Sequence, residues 1–424
     1  MLDINLIRSD AKLVKRNCEN RGYDKKIIEE ILNFDKKWRK LKFEKDKIRS
    51  ERNKISKEIS KSKKNKDEKK AKQLMKQAKE IPKKLKSIDD KEKEIKEKID
   101  LQLSLLPNIQ EKDVPVGGEE KNKVLKKWGK LPKFNFPIKP HQELLENLNL
   151  LDMKRAAKIS GSGFYLFKGK LAQLERALIN FMLDFHAKNN FTEVNVPHLT
   201  NSKSLFGTGQ LPKFEEDLYK TNENLYLIPT AEVSLTNLYS GEILKEKELP
   251  KKFVSFTQCY RTEAGRHGSE TPGIFRLHQF EKVEMVCICK KEDSWKFFEE
   301  ITLHAEKIIQ ALELPYRKVL LATKDASFPS AKTIDLEVWS PAMKKYLEVS
   351  SISNCTDFQA RRMNTRYQEK NKLNFIHTIN ASGLATPRII ISLVENFQQK
   401  DGSIKIPKVL WPYMSGEKII KHEK

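Results

Sequence analysis

Residues 253–288, FVSFTQCYRTEAGRHGSETPGIFRLHQFEKVEMVCI, decide how the chain folds and where its chemistry sits. Two alternating runs flank a stretch, 264–273, that holds three glycines and a proline. Side chains alternate across a strand with period two. In the first run Ser255, Thr257, Cys259, Arg261 and Glu263 therefore share a face. In the second Arg276, His278, Phe280, Lys282 and Glu284 do, while Leu277, Val283 and Met285 turn to the core. The pattern predicts a pair of strands joined by a polar, mobile loop. One sheet face then carries two arginines, two glutamates and an aromatic ring. Arginine suits phosphate, a ring suits a nucleobase and a carboxylate suits an amine. Any half-solvated antiparallel sheet alternates in the same way, so these residues alone leave a nucleotide site and a plain structural sheet both open.

The rest of the chain narrows the choice. Its 424 residues allow two or three domains, each with a core. With 38% apolar and 33% charged residues and no run near the ~18 apolar residues of a membrane span, a soluble protein is expected. The start, MLDINLIRSD, lacks the basic and apolar regions of a signal peptide. Five cysteines at 18, 259, 287, 289 and 355 make no disulfide framework, which points to a reducing cytoplasm. Cys287 and Cys289 have no second Cys/His pair nearby, so buried thiols are expected there rather than zinc.

The net charge of +24 is unevenly spread: residues 36–98 hold 27 Lys/Arg against 12 Asp/Glu. The same region carries heptads. Phe34, Trp38, Leu41, Ile48, Ile55 and Ile59 form one stripe, interrupted by Lys45 and Arg52. After the break SKSKKNKDEKK, a second stripe runs through Ala71, Leu74, Ala78, Ile81, Leu85, Ile88, Ile95 and Ile99. Two such helices of some 30 residues, joined by a polar turn, predict an antiparallel coiled-coil arm over about 27–99, kinked at Pro82. Its basic faces suit a phosphate backbone, although a spacer or a dimerisation device has the same pattern. Residues 1–26 read as a short helix and turn with Leu2, Ile4, Leu6, Ile7, Leu13 and Val14 as anchors. The predicted organisation is an N-terminal domain over 1–103, a Pro/Gly-containing linker over 104–120 and an α+β body over 121–424.

Within the body, LAQLERALINFMLDFHAKN (171–189) reads as a helix leading to a short strand, FTEVNVPHL, that ends at Pro197. LIPTAEVSLTNLY (227–239) reads as a strand delivering Thr230 and Glu232 to a helix start, which is also common capping grammar. DLEVWSPAMKKYLEVSSISNCTDFQARR reads as a hairpin, with Glu348 and Ser350 on one face, and then a helix from about Asp357. In NASGLATPRIIISLVENFQ (380–398), a glycine-containing turn opens an apolar helix with Arg388 in its first turns. An arginine there opposes the helix dipole unless an anion compensates. The GxG pairs at 161/163 and 207/209 fit no complete phosphate loop and carry little weight.

The helix–strand ending at Pro197, the RTE…FRLHQFEKVE pair and the GLATPR helix resemble, in order, the three signature motifs of class II aminoacyl-tRNA synthetases. TAEVSLTN, HQFEKVEM, LEVSSISNCTDFQARR and the N-terminal hairpin are similar to the bacterial-type seryl family within that class, over residues 1 to about 415. The resemblance implies a seven-stranded, mostly antiparallel sheet flanked by helices and a homodimer built around 171–197. It also implies serine activation by ATP and transfer to tRNA(Ser), and to the selenocysteine tRNA where one exists. ATP would meet Arg261, Thr262 and Glu263, the stretch Arg276, Leu277, His278, Gln279 and Phe280, then Glu348, Val349, Ser350, Ser351 and Arg388. Arg261 and Arg388 would act in catalysis, on the α- and γ-phosphates respectively. Serine would meet Thr230, Ala231, Glu232, Arg261, Glu284 and Ser382, and Glu348 with Ser351 would hold Mg²⁺. Two rival readings are a carrier-charging relative, which would lack the long hairpin, and a non-catalytic coiled-coil RNA-binding protein, which would have no need of these charges.

Overall fold

The computed structural model describes residues 1–263 and 273–422. Most of the predicted 264–273 loop therefore lies outside the described residues. The chain divides into two compact units, Leu2–Leu106 and Pro107 onward, with Met1 belonging to the second.

The first unit is wholly helical: Ile4–Ser9, Ala11–Asn20, Lys26–Lys64 and Glu68–Ser104. Residues 1–26 thus form two short helices, because Asp3 and Asp10 each cap one by accepting a backbone N–H. Ile7 and Val14 are fully buried, whereas Leu13, expected as an anchor, is 41% exposed. The long helices run 39 and 37 residues, which at 1.5 Å per residue is about 55 Å. The expected break over 60–70 shrinks to 65–67. Lys61, Lys63 and Lys64 suit a helix C-terminus, so the first helix persists to that point, and Asp67 caps the second. Ala71, Leu74, Ile81 and Ile88 are buried along the seam. Pro82 lies inside the second helix without ending it. Of the two polar interruptions, Arg52 is exposed, while Lys45 Nζ reaches Asp89 and Glu92 on the opposing helix, each at 2.6 Å. At the base, buried Asp35 accepts from Arg8 at 2.5 and 3.0 Å and from Arg39 at 3.0 Å.

Among the described residues, the main sheet of the second unit has eight strands rather than seven. Their order is Lys123–Trp128, Tyr316–Leu320, Lys332–Ser340, Lys345–Thr356, His377–Ala385, Gln279–Cys289, Lys251–Tyr260 and Thr192–Glu193. Every pairing is antiparallel except the last, between Thr192–Glu193 and Lys251–Tyr260. The edge strand Lys123–Trp128 is exposed along nearly its whole length, so no apolar alternation marks it in sequence. Helices Gly169–Lys188, Ser294–Ala311 and Thr386–Phe397 contribute Leu174, Leu178, Met182, Ile301, Ala305 and Ile390 to a core shared with Val283, Met285, Leu336 and Ile352 from the sheet. All five cysteines are buried and free.

Two local expectations change. The strand in FTEVNVPHL is confined to Thr192–Glu193, and Leu199–Thr200 pairs instead with Tyr226–Leu227, itself only two residues long. Residues 380–385 are not a turn but the end of strand His377–Ala385, whose register shifts between Ser382 and Leu384. A Cβ on Gly383 would meet Val283 Cγ1 at 3.0 Å and His186 Nε2 at 3.2 Å, so the absence of a side chain lets the strand bulge against the core.

Candidate active site

The face inferred from 253–288 exists. Ser255 pairs with Glu284, Thr257 with Lys282 and Cys259 with Phe280 across the two strands. The ladder stops at Tyr260 and restarts at Gln279, which leaves Arg261, Glu263 and Arg276 on the connecting segments. These are held by a few specific bonds. Arg261 N donates to the His278 carbonyl at 2.9 Å, and Arg276 Nη1 lies 3.3 Å from Glu263 Oε2. Glu263 takes a left-handed φ of 51°. The Arg261 guanidinium sits 5.1 Å from the Phe280 ring centroid, and its Nε donates to the Pro229 carbonyl.

Two adjoining cavities open over this face. The smaller, about 210 Å³, is walled by Arg261, Glu263, Arg276, Leu277, Phe280, Glu348, Val349 and Arg388 among others. The larger, about 440 Å³, brings in Thr230, Glu232, Glu284 and Ser351. Arg261, Glu263, Lys282, Glu348 and Ser382 line both. Five of the expected contacts are not in either wall. Thr262 Oγ1 donates to the Glu216 carbonyl, Gln279 Nε2 donates to Gln258 Oε1, His278 Nδ1 lies 3.0 Å from the Arg261 carbonyl, and Ala231 is fully buried. The fifth is Ser350. A register shift between Glu348 and Ser350 breaks the period-two alternation, so these two residues do not share a face. Ser350 Oγ donates to the Ser382 carbonyl, and it is Ser351 that lines the larger cavity with Glu348.

Next to these two residues Asp335 is buried, with Oδ1 lacking a partner. Burial first, and then the charge of Glu348, raises the Asp335 carboxyl well above the usual range, against a hydrogen bond from Ser351. Such a set of mutually repelling oxygen donors beside a phosphate-sized cavity fits a hard divalent cation, which takes one or two carboxylates and completes its shell with water and phosphate oxygens. Arg388 lies at the start of helix Thr386–Phe397, 3.1 Å from Glu348 Oε2 and 5.0 Å from the Phe275 ring centroid. The mismatch with the helix dipole is thus offset within the chain by the Glu348 carboxylate.

The larger cavity is a closed set of opposite charges. Lys282 is only 6% exposed, and its Nζ lies 2.8 Å from Thr230 Oγ1 and 2.5 Å from Glu284 Oε2. Glu232 Oε1 accepts from Gln359 Nε2 at 2.6 Å, and Ser382 Oγ is 3.5 Å from Glu284 Oε2. Burial, and then the negative charge of Glu284, pushes the Glu232 carboxyl up to about 7. Asp335, Lys282 and Gln359 are residues that sequence reasoning left without a role. The alternation already put Lys282 on the charged face, whereas Gln359, in the short helix Phe358–Met363, reaches Glu232 through a long-range contact that has no local signal.

Comparison with known proteins agrees with this geometry. Residues 1–110 match the model of the seryl-tRNA synthetase N-terminal domain, and residues 213–397 match the tRNA synthetase class II core domain (G, H, P, S and T). A serine–tRNA ligase of Staphylococcus saprophyticus is 47% identical, with 100% of both chains covered. One of Thermosipho melanesiensis is 50% identical over 99% of this chain and 100% of the relative. The crystal structure of seryl-tRNA synthetase from Pyrococcus horikoshii complexed with ATP superposes with a TM-score of 0.95 at 40% identity, covering 100% of both chains. Similar from end to end in sequence and in fold, the chain belongs to the seryl-tRNA synthetase family of class II aminoacyl-tRNA synthetases.

Proposed function

We infer that the chain joins L-serine to tRNA(Ser) in two steps at this site. The serine carboxylate attacks the α-phosphorus of ATP, the bond to pyrophosphate breaks, and seryl-adenylate remains. The terminal ribose hydroxyl of the tRNA then attacks the seryl carbonyl and releases AMP. The observation that carries the reading is the shared wall: Arg261 lies over Phe280 and lines both cavities, so it reaches the junction of a nucleotide and an amino acid. The adenine would rest on Phe280 and donate its amino group to Glu263. Arg276 and Arg388 would grip the phosphates, and Arg261 would meet the charge that develops at the α-phosphate. Thr230, Glu232, Glu284 and Ser382 would take the ammonium and hydroxyl of serine. Leu277 and Val349 would line the nucleotide cavity, while Thr262, His278, Gln279, Ser350 and Ala231 would support the site from outside the two walls. Magnesium brought with ATP would be held by Glu348 and Ser351, lending positive charge to the phosphates. No side chain serves as a covalent nucleophile; catalysis rests on alignment and charge.

The basic arm is the proposed tRNA contact, read through shape and backbone. A homodimer around Gly169–Lys188 and the following strand completes the proposed assembly. Among the described residues no helix is long and apolar enough to cross a membrane. The reading is tested by amino acid-dependent ATP–pyrophosphate exchange, followed by charging of total tRNA. Serine alone should support both, and Arg261→Ala should cut exchange by about 10²–10³ with the fold intact. Exchange retained in that variant would refute the role of Arg261, and a preference for another amino acid would refute the substrate.

A further inference from the structure

Among the described residues Lys282 is the one buried ammonium in the cavity wall, and its position copies what a substrate amine would do. It holds Glu284 at 2.5 Å and donates to Thr230 at 2.8 Å, and these are two of the groups proposed to bind serine. Glu284 is 1% exposed and its other close partner is Ser382 Oγ at 3.5 Å, so Lys282 supplies the charge that lets this carboxylate be buried. A second ammonium cannot share the same oxygen at this distance without strong repulsion between the two cations. Lys282 also lines the smaller cavity beside Arg261, Phe280 and Arg388, so its flexible four-carbon stem has a second polar region within reach.

We propose that Lys282 is a built-in surrogate for the substrate ammonium. It neutralises Glu284 in the serine-free pocket, yields that carboxylate to the amine of serine, and turns to the nucleotide side to meet the negative charge of adenylate formation. The inference rests on the seryl reading above. No bond to Lys282 forms or breaks. The new bond joins a serine carboxylate oxygen to the α-phosphorus, and the broken P–O bond leaves its electron pair on pyrophosphate. The device links the two substrates: the cation is released to the phosphates only when an amine has taken its place. Burial and then the charge of Glu284 raise the nearby Glu232 carboxyl to about 7, while a hydrogen bond from Gln359 and the positive charges of Lys282 and Arg261 work against that rise.

The test is Lys282→Met, which keeps the length of the stem and removes the charge. Calorimetric titration with L-serine alone should show binding at least about threefold tighter, because the competing cation is gone. The kcat of serine-dependent pyrophosphate exchange should fall at least about tenfold, because charge is missing at the reacting phosphate. Unchanged or weaker serine binding, or a kcat that falls less than this, overturns the proposal; a merely structural lysine would weaken both together. Should the variant fail to fold, the wild-type protein crystallised with L-serine decides. Lys282 Nζ should have left Glu284, and an Nζ still bridging Glu284 and Thr230 beside the bound amine overturns the idea. Wild-type exchange separates the two levels of inference: without serine-dependent exchange the seryl reading and this proposal both fall, and with it the results above judge Lys282 alone.

Discussion

Glu232→Gln is expected to make the protein more stable at pH 8 while impairing its reaction. Glu232 is 8% exposed, and burial followed by the charge of Glu284 raises its carboxyl from 4.5 to about 7. An acid whose folded value lies above its unfolded one holds a proton that the unfolded chain has already lost. Stability therefore falls as pH rises between these two values and levels off above the higher. At 1.36 kcal/mol per decade of proton affinity, the full loss is about 3 kcal/mol. Glutamine has no proton to lose, and its carbonyl oxygen still accepts from Gln359. The gain over wild type should thus grow from under about 1 kcal/mol at pH 5 to about 3 kcal/mol at pH 8. Denaturant unfolding followed by tryptophan fluorescence at both pH values measures it. Equal gains at the two pH values, or none at pH 8, would refute the argument, since only an ionised buried carboxylate produces the difference. The same variant should raise the KM for serine, because the cavity loses a charge that faces the amine.

Two further outcomes are expected. Replacing residues 36–98 by a short turn should spare serine-dependent exchange, yet reduce tRNA charging to background; undiminished charging would make the arm a spacer. Gly383→Ala puts a methyl group 3.0 Å from Val283 Cγ1 and 3.2 Å from the Val283 carbonyl, an overpacking that costs about 1–3 kcal/mol. Thermal melting should show that loss, and an unchanged melting temperature would mean that the bulge can relax.

The arm and the central strand pair were legible because both rest on periodicity. Heptads need no information beyond their own spacing, and Ser255, Thr257 and Cys259 fall on the face that alternation assigns, opposite Glu284, Lys282 and Phe280. Periodicity fails where a strand takes in an extra residue. Nothing in LEVSS announces the irregularity near Val349, which moves Ser350 out of line with Glu348, and Gly383 among small and polar residues reads as a turn rather than as a bulge in a strand. Partnerships were harder still. Lys282 was visible as a charge, but only the fold puts it against Thr230, 52 residues earlier in the chain. Arg388 was noticed as electrostatically misplaced at its helix start, and its partner Glu348 comes from a strand 40 residues away. Roles given by motif resemblance reached the cavities for Arg261, Glu263, Arg276 and Glu348. They did not for Thr262, His278 and Gln279, where position in a motif says nothing about which way the side chain faces.

Lys45 gives the arm a calibration mark. A coiled-coil hairpin with evenly repeating apolar residues can slip by one heptad and still bury its stripe, shifting one helix along the other by about 10 Å. Lys45 bonds to Asp89 and Glu92 in this alignment, whereas a slip of one heptad would set it opposite Pro82 and Leu85 or Lys96 and Ile99 and leave its charge without a carboxylate. The helices are thereby fixed in phase, and the reach of the tip from the arm's own base becomes a constant of the molecule. An appendage with that property can serve as a ruler: in the tRNA-binding role proposed for the arm, a nucleic acid that met its far end would be gauged by length and contour before any base was read.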